Sequence, residues 1–295
     1  MQRLKNKLAE TRTLLDGEFD KKLTLPEGKE KRLVEAMRYS AIGGGKAFRA
    51  FLVLTVGEIL GLKKENALQI ATALEMVHTY SLIHDDLPAM DNDTLRRGKA
   101  TNHIQFDEAT AILAGDALLT NAFEVLSSSE MELEPQKCCQ LVNFLAKMAG
   151  KSGMCGGQML DLIGEKETLN LEEVTRLQTL KTGALLRFAV VAPAIAVGAD
   201  EDTQKALEQY AACIGLMFQM TDDILDIEGD EKLMGKTLGK DKTETKSTFV
   251  TLLGLEATRQ KARELGEKSK SALNIFGGKA DLLLQASDFI LERKN

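Results

Sequence analysis

Residues 80–99 read YSLIHDDLPAMDNDTLRRGK and crowd four carboxylates, Asp85, Asp86, Asp91 and Asp93, ahead of Arg96, Arg97 and Lys99. Carboxylates this close repel one another unless a cation shares them, and oxygen-only donors suit hard ions such as Mg2+ or Ca2+. An EF-hand loop is excluded, because counting from Asp91 or from Asp222 the sixth position is not glycine. Mg2+ takes a few carboxylates and completes its shell with water and substrate phosphates, and arginine meets phosphate oxygens as a bidentate fork. Paired acids followed by paired arginines therefore point to a Mg2+–phosphate or diphosphate site.

The motif has a second copy. QMTDDILDIEGDEKLMGK (219–236) repeats the aspartate pair and places Asp230 eight positions after Asp222, as Asp93 follows Asp85; Lys232 and Lys236 then follow. Asp222 and Asp226 are four apart and share one helix face. One such cluster could as easily be a solvated helix end. Two alike, each closing a long apolar helix and each trailed by cations, are hard to read that way. Upstream, GGGKAFR (43–49) sets Lys46 and Arg49 behind a glycine run at a helix start, a plausible anion cradle. His78 lies two helical turns before Asp85 on the same face, although a lone helical histidine is more often structural.

These residues need long helices to position them. Apolar residues recur at helical spacing in 47–60, 64–85, 108–127, 136–150, 172–198 and 202–226, and no run shows strand-like alternation. Roughly ten helices and no convincing strand are predicted. Several helices are apolar on more than one face, as central bundle helices are. Pro88 discourages the helix ending at Asp86 from continuing, so the chain can bend Asp91 back toward Asp85. No segment resembles an interdomain linker, and a single all-α domain over 1–295 is expected. The formal charge of −6 opposes the basic footprint of a nucleic-acid binder. Four cysteines without metal spacing fit a reduced cytoplasmic protein. The N-terminus lacks a signal peptide's apolar stretch, and 188–198 is too short to span a bilayer, so no membrane span is expected.

DDLPAMDNDTLRRGK, FQMTDDILD, GGGKAFR, GGQMLDL and LKTGALL occur in an order that resembles the trans-prenyltransferases, the short-chain isoprenyl diphosphate synthases, from about residue 30 to the C-terminus. The first motif's spacing resembles the bacterial and plastid branch. The resemblance implies an all-α bundle of about ten or more helices around a deep central cavity, usually homodimeric. It implies Mg2+-dependent head-to-tail joining of isopentenyl diphosphate to an allylic diphosphate, with three ions per active site and Mn2+ as a substitute. By the same resemblance Asp85, Asp86, Asp91, Asp222 and Asp226 would hold the metal. Arg96, Lys181, Lys236 and Lys246 would contact the allylic diphosphate, and Lys46, Arg49, His78 and Arg97 isopentenyl diphosphate. The Lys181 carbonyl, Thr182 hydroxyl and Gln219 amide would face the allylic carbocation. Residues 228–247 would form a lid.

Tyr80, five residues and roughly 7–8 Å of helix before Asp85, would floor the pocket; in the family that the motifs resemble, an aromatic at this position beside a small residue, here Ser81, accompanies a C15 product. That implies a farnesyl product, with geranylgeranyl diphosphate as the alternative. Terpene cyclases share the first motif but lack a second DDxxD, and silent partner subunits usually lose one motif. The family's GGKRxRP reads GGKAFRA here, so Ala47 and Ala50 predict a looser helix start and a shifted KM.

Overall fold

The computed structural model describes residues 1–228 and 247–293, and the chain divides into two compact units, Gln2–Val142 and Asn143–Asn295 with Met1. In the first unit the helices are α1 (Gln2–Lys22), α2 (Lys31–Ala41), α3 (Phe48–Leu60), α4 (Lys64–Asp85), α5 (Asn102–Gln105) and α6 (Glu108–Ser127), and α7 (Pro135–Ala149) crosses the boundary. Helix α4 is buried on nearly every side, through Ile70, Ala71, Ala73, Leu74, Met76 and Val77 among others, which is why it shows no single apolar stripe. It packs on α3 and α6. Gly115 on α6 lets His84 lie flat against that helix: a Cβ there would sit 2.1 Å from His84 Nε2.

One element departs from the all-helical expectation. Leu95–Arg96 (β1) and Lys99–Ala100 (β2) form an antiparallel hairpin around Arg97 and Gly98. Both turn residues have positive φ, 55° and 77°, as a tight two-residue turn matched to strand twist requires. Strands of two residues leave no alternation to read.

The second unit contains α8 (Met154–Gly164), α9 (Leu171–Gln178), a π-helical turn (Thr179–Gly183), α10 (Ala184–Val197) and α11 (Glu201–Glu228). It continues with α12 (Phe249–Leu253), α13 (Leu255–Ala272), a 3-10 segment (Asn274–Ala280) and α14 (Asp281–Glu292). A capping box between Asn170 and Glu173 starts α9, satisfying two orphan amides. Gly198, at φ 69°, ends α10. A core of Leu169, Val174, Leu177, Met220, Phe249 and Ala262 lies against α11 just before its aspartate pair. Two stretches, Glu108–Ser127 and Leu171–Val197, are long and apolar enough to cross a bilayer by length and composition. The second is a core helix, with 61% of its apolar window buried.

Candidate active site

In the first unit the acidic motif forms a closed turn. The Asp91 amide donates to the Asp85 carbonyl at 2.9 Å, and the Leu87 carbonyl accepts the amides of Met90 and Asn92. The bend anticipated from Pro88 thus returns Asp91 to Asp85. Asp86 is nearly sealed off, at 3% exposure, and its Oδ1 accepts both Arg96 Nε (2.7 Å) and Nη2 (2.6 Å). Burial pushes the Asp86 pKa up against the lowering effect of Arg96, while the pairing with Asp86 raises Arg96. Burial works against the charge on both partners; at Asp86 it prevails, whereas at Arg96 the hydrogen bond and charge of Asp86, with Asp85 and Asp93, outweigh it. Arg96, expected to touch diphosphate, is here the counter-ion of Asp86.

Arg97 explains the glycine run. A Cβ on Gly45 would lie 2.5 Å from Arg97 Cζ, so the loop closes over the guanidinium only because it has no side chains. Much of Arg97 reaches solvent, but its guanidinium is desolvated enough to lower its pKa, with Glu75 pulling the other way. The loop is braced from α1: Arg12 donates to the Gly44 and Ala41 carbonyls, at 2.9 and 3.2 Å, and Asp16 accepts the Gly43 amide at 2.9 Å. Ala47 takes a left-handed conformation, φ 48°, at a cost of about 1 kcal/mol for a non-glycine residue. Ala50 has an amide that proline would lack, and it donates to the buried Glu75 at 3.1 Å. The departure from the family pattern therefore adds a bond at the start of α3. Lys46 is exposed and Arg49 half-buried beside it.

Arg49 Nη1 lies 3.3 Å from His78 Nε2. Burial, then the charges of Arg49, Arg97 and Arg96, hold the His78 pKa well below its usual value. The ring is neutral at pH 7, and Nε2 accepts from the guanidinium. The unfolded chain takes up this proton near pH 6.5 and the folded chain does not, so stability falls as pH drops through about 6.5. Thermal melts at pH 7 and pH 5 should show a smaller loss for His78→Gln than for the wild type; equal losses would rule out His78 as a source of acid instability. Tyr80 is buried and edge-to-face with His84 at 5.7 Å, and Ser81 Oγ donates to the His78 carbonyl at 2.8 Å.

In the second unit two glycine approaches build the site. A Cβ on Gly157 of α8 would meet Lys181 N at 2.1 Å, and one on Gly215 of α11 would meet Gly183 Cα at 3.1 Å. The π turn 179–183 is thereby held close to both helices; turns of this kind recur at functional sites. One turn beyond Gly157, the buried Asp161 accepts Lys181 Nζ at 2.5 Å. One turn beyond Gly215, Gln219 Oε1 accepts Thr182 Oγ1 at 3.2 Å. The Gln219 Nε2 donates onward to Asp223 Oδ1 at 3.4 Å, and Asp223 Oδ2 accepts the Phe249 amide at 2.8 Å. Asp222 and Asp226 share the outer face of the same helix end, and Asp222 Oδ1 pairs with Arg293 Nη2 at 2.8 Å. Sequence reasoning misses Asp161, Asp223, Glu75, Arg12, Asp16 and Arg293. Asp161 and Asp223 stand inside the quoted motifs, but only packing shows that they organise their neighbours. Lys236 and Lys246, with all of the lid between its end residues 228 and 247, lie outside the described residues.

The donors fit a hard divalent ion. Asp85, Asp86 and Asp91 in one unit, and Asp222 and Asp226 in the other, each carry carboxylate oxygens of the kind such an ion takes, and Arg96 engages Oδ1 of Asp86. Among the described residues no three acidic, histidine or cysteine groups converge on one point.

In the first unit a long helix ends in acid beside desolvated arginines, and in the second a buried aspartate holds Lys181 beside a π turn; a mainly helical scaffold of this kind is that of the isoprenyl synthases. Within that class the chain belongs to the polyprenyl synthetase family, whose model matches residues 30–274. Members of this family use a divalent metal. The chain is 45% identical over 290 residues to the farnesyl diphosphate synthase of Micrococcus luteus, covering 98% of this chain and 99% of that one. It is 48% identical over 266 residues to the Haemophilus influenzae farnesyl diphosphate synthase, with 89% of each covered. It is 41% identical to a geranylgeranyl diphosphate synthase of Cyanophora paradoxa, over 98% of this chain and 96% of that one. The apo crystal structure of an FPP/GFPP synthase from Zymomonas mobilis superposes with a TM-score of 0.90 at 42% identity, over 98% and 99% of the two chains.

Proposed function

We propose that this chain is a farnesyl diphosphate synthase, which joins isopentenyl diphosphate head to tail to dimethylallyl and then geranyl diphosphate. The observation that carries the reading is the acidic turn, with Asp91 folded onto Asp85 and Asp86 sealed against Arg96. The relatives named for the same activity, at 43–48% identity, support it.

Asp85, Asp86, Asp91, Asp222 and Asp226 would hold Mg2+, three ions per active site with Mn2+ as a substitute, and the metal supplies Lewis-acid neutralisation of the leaving diphosphate. Lys46, Arg49 and Arg97 bind the isopentenyl diphosphate, and the neutral His78 keeps Arg49 aimed without adding a charge of its own. Lys181, and Lys236 and Lys246 beyond the described residues, contact the allylic diphosphate. Ionisation of its C–O bond leaves an allylic cation, which the Lys181 carbonyl, the Thr182 hydroxyl and the Gln219 amide stabilise through their oxygen dipoles. The isopentenyl double bond attacks, and a proton leaves to the released diphosphate. Tyr80, buried five residues before Asp85, limits the product to C15.

Helix α6 supports a homodimer: only 39% of its apolar window is buried, and Ile112 and Leu113 are exposed. Four free thiols, Cys138, Cys139, Cys155 and Cys213, suit a cytoplasmic setting.

The test is a product assay with dimethylallyl and labelled isopentenyl diphosphate, with and without EDTA, separating the dephosphorylated alcohols. A metal-dependent C15 alcohol is expected from the wild type and a C20 or longer alcohol from Tyr80→Ala. A wild-type product of C20 would move the assignment to geranylgeranyl synthesis, an unchanged C15 limit in the variant would remove Tyr80 as the floor, and no condensation would refute the assignment.

A further inference from the structure

Arg293 stands just past the end of α14 in extended backbone, with its side chain only 8% exposed. Its Nη2 bonds Asp222 Oδ1 at 2.8 Å and the Phe218 carbonyl at 2.6 Å, and its Cζ lies 3.7 Å from the centre of the Phe218 ring. Phe218 and Asp222 are four residues apart on α11, so the guanidinium lies along one face of that helix where it reaches the second acidic motif. Its Nε is buried without a partner. A planar guanidinium has five donors and stays charged, so a single-oxygen contact with Asp222 uses little of what it could offer. Burial lowers its pKa and Asp222 raises it.

We propose that Arg293 is the resident cation of the second acidic motif, neutralising Asp222 in the substrate-free protein and yielding it when metal arrives together with a diphosphate. The inference rests on the reading of Asp222 as a metal ligand. An ion on the far oxygen of Asp222 would lie a few ångströms from a fixed positive charge. Even at the dielectric constant of water, a double and a single positive charge about 6 Å apart repel enough to lower affinity about tenfold. A diphosphate brings enough negative charge to reverse that balance. The exchange does not strand the arginine, because the Phe218 carbonyl and ring remain in place to hold it. Metal binding would thereby be tied to substrate, and bare metal would not be held at the second motif.

The experiment measures Mn2+ binding to the full chain by the free-ion electron paramagnetic resonance signal, without substrate and again with inorganic diphosphate. Arg293→Gln should tighten substrate-free Mn2+ binding about tenfold, and the gap from the wild type should narrow with diphosphate present. Arg293→Lys keeps the charge and should keep the wild type's weak binding. Unchanged or weaker binding in Arg293→Gln would overturn the proposal, as would a tenfold gain in Arg293→Lys, which would show that charge is not the cause. Asp222→Asn is measured with diphosphate present. If it loses no Mn2+, the ligand reading of Asp222 fails, whatever Arg293 does.

Discussion

Replacing Gly157 with alanine should cost the protein about 3 kcal/mol of stability and at least a hundredfold in kcat. The added methyl would sit 2.1 Å from Lys181 N, 2.5 Å from Lys181 Cα and 2.7 Å from the Leu180 carbonyl carbon. All three are backbone atoms, so no rotamer can relieve the overlap, and α8 and the π turn must separate by more than an ångström. Overpacking a core site usually costs about 1–3 kcal/mol, and a rigid backbone neighbour puts this site at the upper end. The separation would also break the geometry that the close approach creates. Lys181 would be drawn off Asp161, and Thr182 would shift against Gln219. A displacement of about 1 Å in positioning groups is enough for a hundredfold loss. Gly17, in the middle of α1 with nothing within 4 Å of its would-be Cβ, is the control: Gly17→Ala should raise stability by about 0.5–1 kcal/mol and leave kcat alone. Chemical denaturation and steady-state rates on both variants test this. A Gly157→Ala enzyme with wild-type stability and turnover would show that the approach is not needed.

That glycine also marks the boundary between what can be read in the sequence and what cannot. The acid pairs, the basic residues around them and the long helices are legible because each depends on short spacings: four residues for Asp222 and Asp226, a proline for the bend at 88. The turn of Asp91 onto Asp85 is a local consequence of the same kind. The π turn at 179–183 is not, since a helix that widens by one residue for a few positions changes neither composition nor periodicity. Nor is the hairpin that carries Arg96 and aims Arg97, whose strands are too short to alternate. The glycine run at 43–45 is legible as special but not for its reason; a lone GGG reads as an anion cradle, and only the structure shows that it makes room for the guanidinium of Arg97. The bracing by Arg12 and Asp16 comes from outside the family match, across about thirty residues of chain, and no local pattern announces it. Ala50 reads in sequence as a loss relative to proline, because the amide it retains matters only once Glu75 is known to lie beside it.

The pair Asp86–Arg96 should respond asymmetrically to substitution. Burial opposes the charge on both partners, and the Asp86 carboxyl is pushed up by it despite two bonds from the guanidinium. The substitution Asp86→Asn would keep an oxygen for Arg96 and remove the buried charge. The lost charge-assisted bonding and the relieved desolvation then largely cancel, leaving stability within about 1 kcal/mol of the wild type. Activity should nevertheless fall at least a hundredfold, because the position that faces away from Arg96 loses the charge that a divalent ion requires. Arg96→Gln does the opposite. It strands a carboxylate at 3% exposure without its cation, which costs about 2–3 kcal/mol, less than a fully buried pair because Arg96 is one-third exposed. With the arginine gone the Asp86 pKa rises further, so the acid limb of the pH–rate profile should move upward relative to the wild type. A group whose folded pKa is raised favours the fold while protonated, so Arg96→Gln should also recover part of its stability as pH is lowered toward the carboxylate range. Measuring both single variants and the double Asp86→Asn, Arg96→Gln by denaturation and by pH–rate profile separates the roles. If Arg96 acts through Asp86, the double variant is about as stable as Asp86→Asn alone and no less active. If Arg96 binds diphosphate independently, the activity losses multiply and the acid limb of Arg96→Gln stays where the wild type has it.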